Sequence, residues 1–287
     1  MSAILSRRGA LTAIGGALAG AVIGVPGAWA SPLDRVKAKG VLTVAVYKDY
    51  EPWSWMAEGR LVGIDVDIAD LLAQSIGVRA DVRQFLAGDD LADDLRNMVW
   101  KGTVVGAPPC DLMMHVPVDR QLQIDNDRAV IAGPYYRENF GMACNRETTD
   151  CEVPPPQLKG KRLVVETASI PDMYLSGAFG GSLRADVRHV YTGADAVAAV
   201  ASGDADATVA TRAQIEHGLK SGGRLIERKG MVPLIFNPGW NVGFAVRDDS
   251  RDLADELEKQ MAAVMADGRM KAIFARYGVV HRDPILN

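Results

Sequence analysis

The stretch from Gly59 to Gly77 constrains the fold more than any other part of this 287-residue chain. Gly59 and Gly63 bracket a short turn. Beyond it Ile64, Ile68, Leu71, Leu72 and Ile76 recur at three- and four-residue spacing, while Asp67, Asp70 and Gln74 fall on the other side. The pattern predicts an amphipathic helix laid on a sheet. Asp65 is placed to accept backbone N–H groups at the helix start, acidic residues suit the positive end of its dipole, and Gly77 serves as a C-cap. Immediately upstream, Val41 to Val46 reads as a buried strand, and the loop from Tyr47 to Trp55 gathers Tyr50, Trp53 and Trp55 around Pro52. Aromatic residues at the C-terminal edge of a strand stand where open α/β sheets bind ligands.

Bulk composition excludes several classes. With 48% hydrophobic and 24% charged residues the chain is ordinary globular protein, long enough for one large or two average domains. No basic block is present, so a nucleic-acid partner is not expected. Residues 1–30 read as an export signal: Arg7 and Arg8 precede an Ala/Gly-rich apolar run ending in Ala28-Trp29-Ala30. Ser6-Arg7-Arg8-Gly9-Ala10-Leu11 is close to a twin-arginine motif, although Ala10 stands where Phe is usual, and a Sec-type leader fits the same residues. Without the leader the charge of −4 becomes −6, 30 basic residues against 36 acidic. A soluble periplasmic protein starting at Ser31 is expected.

Three cysteines, Cys110, Cys144 and Cys151, suit an oxidising compartment. Cys144 and Cys151 are the favoured disulfide, with pairing to Cys110, or three buried thiols, as the alternatives. There is no Cys-x-x-Cys, no His-x-x-x-His, and the acids Asp89, Asp90, Asp93 and Asp94 lack the glycine turn and closing glutamate of a calcium loop. A solvated helix face explains those acids, and no metal or cofactor is expected.

The whole Gly59–Gly77 stretch closely resembles the signature of periplasmic solute-binding proteins of the amino-acid receptor type. The resemblance continues along the mature chain. Tyr50-Glu51-Pro52-Trp53 is similar to the loop that stacks an aromatic ring on the ligand. Tyr50 is the first candidate for that role, Trp53 the second. Leu158 to Glu166 is similar to a Leu-x-Gly-Lys strand, and Asp267 to Gly278 to the family's terminal helix. The resemblance implies an α/β, periplasmic-binding-protein-like type II fold: two doubly wound lobes, a hinge and a central cleft. Lobe one would hold residues 31–136 and 245–287, lobe two residues 137–244.

Two departures alter the implied ligand. Arg120 lies where the family's carboxylate-clamping arginine is sought, but its loop is shorter than the usual form. Thr211 occupies the place of the aspartate that holds a ligand's ammonium group. A buried ammonium that lacks its carboxylate loses on the order of 3–5 kcal/mol, which argues against an ordinary α-amino acid. Leu95 to Gly102 and Met113 to Asp119, with His115, resemble instead the divergent subgroup associated with quinoprotein alcohol dehydrogenases, the MxaJ/XoxJ type. That resemblance implies a non-catalytic accessory of a PQQ-dependent alcohol oxidation system, methanol being the expected substrate. Its partners would be the dehydrogenase and its cytochrome c. An importer receptor for a small polar solute is the alternative. A cleft dehydratase similar to cyclohexadienyl dehydratase is a third reading, for which Glu51 and His115 are the only acid–base candidates. The remaining ligand-site candidates are Thr167 and Ser169, at a helix start stiffened by Pro171, and Trp240, on the strand returning to lobe one.

Overall fold

The computed structural model describes residues 30–233 and 239–286. The leader motif and its apolar run lie outside them. Ser31 opens the described chain as a helix cap, its hydroxyl accepting from the Asp34 N–H ahead of α1 (Pro32–Lys39). Strand β1 (Val41–Tyr47) is buried along its centre, as its continuous apolar run requires. A hairpin of β2 (Trp55–Ala57) and β3 (Arg60–Val62) turns at Glu58 and Gly59, both at positive φ. Helix α2 (Ile64–Ser75) follows, then β4 (Arg79–Phe85). Gly63 rather than Asp65 is the N-cap of α2, and Gly77 takes a left-handed φ just past its end. Asp65 is wholly buried.

After α3 (Leu91–Leu95) a π-helical turn runs from Arg96 to Trp100, burying Leu95, Met98 and Val99. Of the acids expected on the solvated face, Asp94 turns inward and accepts from the Tyr47 hydroxyl and the Gly88 N–H. Asp90 caps the helix through the Asp93 N–H. The lobe continues through β5 (Leu112–Pro117), α4 (Arg120–Asp125) and β6 (Ala129–Glu138). The chain then crosses into a second sheet with β7 (Phe140–Asn145), β8 (Leu163–Glu166), α5 (Ile170–Gly177), β9 (Val187–Val190), α6 (Gly193–Ser202), β10 (Ala207–Thr211), α7 (Arg212–Lys220) and β11 (Leu225–Glu227). It returns through β12 (Trp240–Arg247) and ends with α8 (Arg251–Ala266), α9 (Arg269–Arg276) and an extended tail.

The first sheet runs β4-β1-β5-β12-β6 and the second β11-β7-β10-β8-β9. In each, three neighbouring strands are parallel and the strands that enter and leave the lobe pair antiparallel. Each sheet is covered on both faces. In lobe one, α2, α8 and α9 pack on one side around Leu72, Phe244 and Phe274, and Leu95, Met98 and Met113 fill the other. In lobe two, Leu163, Leu175 and Val209 form one layer and Val164, Val197 and Ile215 the other. These are the two doubly wound α/β lobes expected from sequence.

The second crossing was expected at residues 244–245. Trp240 already pairs with Glu138, and the whole of β12 lies between β5 and β6, so the strand belongs to lobe one from Trp240 onward. Phe244 and Val242 are fully buried there. Cys144 and Cys151 form a disulfide, as favoured, and Cys110 is a buried free thiol pushed up to about 12 by its burial.

Candidate functional site: an interlobe cleft

The C-terminal ends of β1, β4 and β5 face those of β8 and β9 across a cavity of about 790 Å³. Lobe one contributes Tyr47, Lys48, Asp49 and Tyr50 after β1, Leu86 and Ala87 after β4, Leu91, and His115 and Pro117 on β5. Phe140, Glu166, Ile170, Tyr191 and Thr192 line the lobe-two side, and Trp240 stands at the crossing, its ring centroid 5.0 Å from that of Phe140. This is the carboxyl-edge location that open parallel sheets provide. Leu86, Ile170 and Tyr191 remain 75, 50 and 95% exposed, giving the mouth an apolar rim drawn from both lobes.

His115 reaches the cavity through a local irregularity. The pairing of β12 with β5 jumps from Gly243–Val116 to Phe244–Met114, and His115, left without a register partner, takes a φ of 64°. A bulge re-aims a side chain, and here the ring comes to rest 5.0 Å from Tyr50 and 4.4 Å from Trp53, centroid to centroid. Its Nδ1 is 3.2 Å from Asp65 Oδ2, while Asp65 Oδ1 accepts from the Tyr135 hydroxyl at 2.6 Å. The Asp65 carboxylate therefore fixes the imidazole from behind, with the cavity on the other side. Burial, reinforced by Asp65, raises the Tyr135 hydroxyl far above its usual range and keeps it a donor.

Of the residues expected to touch ligand, Tyr50, His115 and Trp240 stand in the cleft wall. The others do not, each for a local reason. Trp53 is completely buried and packs on His115, Tyr136 and Phe274, so it plugs the core. Glu51 turns away from the cavity to His217, 2.7 Å distant. Arg120 is exposed in the first turn of α4, where Asp119 is the cap, and reaches no ligand-facing position. Thr167 is exposed beside the cavity's edge. The Ser169 hydroxyl is spent as the cap of α5, accepting from the Asp172 N–H and donating to the Glu166 carbonyl. Thr211 caps α7 in a reciprocal box with Gln214, which explains a threonine there without any ligand.

Glu166 and Tyr191 were missed. Glu166 ends β8 and Tyr191 directly follows β9, both at carboxyl edges that face the cavity, and that position was the available signal. Burial raises the Glu166 carboxyl above its usual range, against a hydrogen bond from the Gly193 N–H at the start of α6. Glu138, wholly buried at the first crossing, is pushed up to about 8 by burial, against N–H groups of Asn139 and Ala213 that favour its ionised form. Among the described residues no group of three or more His, Cys, Asp or Glu side chains is placed to hold a metal ion.

The lobes are also tied together outside the cavity, through one face of α7. His217 Nδ1 meets the Tyr277 carbonyl at 2.6 Å and its Nε2 meets Glu51; Glu216 accepts from the Val280 N–H and from Arg282; Lys220 donates to the Arg276 carbonyl. Burial lowers the His217 pKa, but the hydrogen bonds to Glu51 and the Tyr277 carbonyl outweigh it and leave it raised above 6.5. A raised imidazole pKa adds stability that is fully present below about 6.5 and fades as pH rises through the folded value. Wild type is accordingly expected to exceed Glu51→Gln by about 1 kcal/mol at pH 5.5. In urea titrations the difference should shrink toward pH 8.5; a difference independent of pH would refute the ionic nature of the contact.

Residues 42–100, which carry β1, the aromatic loop, α2 and β4, match the family model of bacterial extracellular solute-binding proteins, family 3. The match covers the first part of lobe one. Among curated relatives, the ABC transporter arginine-binding protein 1 of Escherichia coli is 24% identical over 233 residues, 80% of this chain and 86% of that protein. Cyclohexadienyl dehydratase of Pseudomonas aeruginosa is 48% identical, but over 50 residues, 17% of this chain and 19% of that enzyme. Among solved structures, an ancestral cationic amino acid solute-binding protein superposes with a TM-score of 0.66 at 18% identity, over 86% of this chain and all of the other. The L-arginine-bound substrate-binding protein of an amino acid ABC transporter from Streptococcus pneumoniae gives 0.64 at 17% identity, over 86 and 98%. These likenesses establish the two-lobed fold. Family 3 proteins are described as extracellular, and no described helix is long and apolar enough to cross a membrane.

Proposed function

We propose that this protein is a family 3 solute-binding protein that works outside the cytoplasm as a non-catalytic binding protein, closing its two lobes on a ligand and assisting a PQQ-dependent alcohol dehydrogenase system. One observation carries the binding role: an apolar, aromatic cavity between two hinged lobes, with no described arginine in its wall and a helix-capping threonine where a receptor for α-amino acids holds its aspartate. The dehydrogenase and its cytochrome c enter as partners through the resemblance of Leu95–Gly102 and Met113–Asp119 to the quinoprotein-associated subgroup. The bulge at His115 lies within the second of those segments, so the feature that shapes the cavity wall is also one that carries the resemblance.

The experiment is capture of the mature protein with its periplasmic partners, followed by titration against the purified quinoprotein dehydrogenase with turnover recorded. A saturable complex, or turnover that changes with added protein, supports the assignment; neither effect at micromolar concentrations defeats it. The alignment with the arginine-binding protein favours a second reading, the receptor of an importer. A single strong stabiliser in a thermal-shift panel of amino acids and organic acids, without any dehydrogenase complex, would favour it. Catalysis of the dehydratase kind is supported by the Asp65–His115 pair at the cavity wall and by the 50-residue match, and an assay for dehydration of a cyclohexadienyl compound tests it directly.

A further inference from the structure

The chemistry of the cavity wall points to a ligand class. Its apolar surface comes from Tyr50, Phe140, Tyr191, Trp240, Leu86 and Ile170. Its charge is one-sided. Lys48 is the only described lysine or arginine in the wall, and its ammonium already lies 3.8 Å from the Asp49 carboxylate. Glu166 also faces the cavity, and Glu138 and Asp65 stand close behind. Burial, followed by the influence of Glu138, Glu166 and Asp65, raises the Tyr50 hydroxyl far above its ordinary range, so the ring is a neutral phenol with acidic neighbours. No described group in the wall offers the bidentate grip a carboxylate needs.

We propose that the cleft binds a protonated organic amine with an apolar or aromatic body and no carboxylate, its ammonium held between Glu166 on lobe two and the ring of Tyr50 on lobe one. An ammonium over an aromatic face is attracted by the ring quadrupole, and more strongly once desolvated. Burial of Glu166 makes a cationic partner worth more than it would be at the surface. Because the ammonium's two partners belong to different lobes, binding and closure are coupled. A carboxylate on the same ligand would enter a space whose wall already carries the acids Glu166 and Asp49, with only the paired Lys48 to meet it.

This proposal rests on the reading that the cleft binds a ligand, and it separates from the dehydrogenase assignment because the protein alone is tested. Calorimetric titration compares pairs that differ only in the carboxylate, phenethylamine with L-phenylalanine and agmatine with L-arginine. The amine of at least one pair should bind, with its amino acid weaker by about tenfold or more. Glu166→Gln should weaken that amine by about tenfold or more while thermal unfolding of the free protein confirms an intact fold, and Glu166→Asp should recover part of the loss. An amino acid binding as tightly as its amine would overturn the proposal. So would the failure of both amines to bind, or an affinity that Glu166→Gln leaves unchanged.

Discussion

Replacing Trp53 by alanine is expected to cost about 3–5 kcal/mol of folding stability, read as a lower urea midpoint with an unchanged slope. The indole is completely buried, with ring centroids 4.4 Å from His115, 5.4 Å from Tyr136 and 5.8 Å from Phe274. Truncation leaves a void that this aromatic group cannot close by a simple rotamer change, so a cavity penalty adds to the lost transfer free energy. The imidazole of His115 also loses its backing, and ligand affinity should fall with stability. A cost under about 1 kcal/mol would show that the indole is not a core plug.

The second large effect is expected at Gly63, where alanine should cost about 3 kcal/mol or more. A Cβ there would lie 2.1 Å from the Trp53 carbonyl oxygen and 2.8 Å from the Ser54 nitrogen, and φ is +143°. Those backbone atoms cannot withdraw cheaply. The Trp53 carbonyl accepts from the Asp65 N–H at 3.0 Å, the Pro52 carbonyl accepts from Ile64 at 3.0 Å, and the Ser54 hydroxyl donates to the Tyr47 carbonyl. Gly59 is the control: its φ of +77° is unfavourable for alanine, but a Cβ there meets nothing within 4 Å. Gly59→Ala should cost roughly 1 kcal/mol. Equal losses in the two variants, measured by thermal unfolding, would exclude the close approach as the reason for Gly63.

This contrast shows where the sequence was informative. Periodicity marked the helix from Ile64, and runs of β-branched and apolar residues marked β1, β8 and β12, because burial imposes those patterns locally. The pairing of Cys144 with Cys151 agreed with spacing, although Cys110 could not be dismissed until the fold placed it apart as a buried thiol. Side-chain direction was less legible. Trp53 and Tyr50 share one loop, yet the first points into the core and the second into the cleft, which depends on how the loop folds onto α2. Thr211 and Ser169 looked like ligand contacts because hydroxyls at helix starts serve either ligands or the helix itself, and here they serve the helix. Asp65 was read as a cap, but its carboxylate joins two residues, His115 and Tyr135, that are 50 and 70 positions away. No local pattern encodes such a meeting.

The position of β12 also bears on the order in which the molecule can be made. It lies between β5 and β6, separated from β6 in sequence by the whole of the second lobe. Until residues 240–247 emerge, those two strands have no common partner, and the first lobe is an unfinished sheet presenting bare strand edges. The second lobe contains every strand of its own sheet within Phe140–Glu227. In a chain that appears from its N-terminus, the middle of the sequence can complete its sheet before the beginning does. A nascent or translocating chain stopped short of Trp240 would expose both edges of the gap to pairing with other chains, so the first lobe is most open to misassembly in the interval before its last strand arrives.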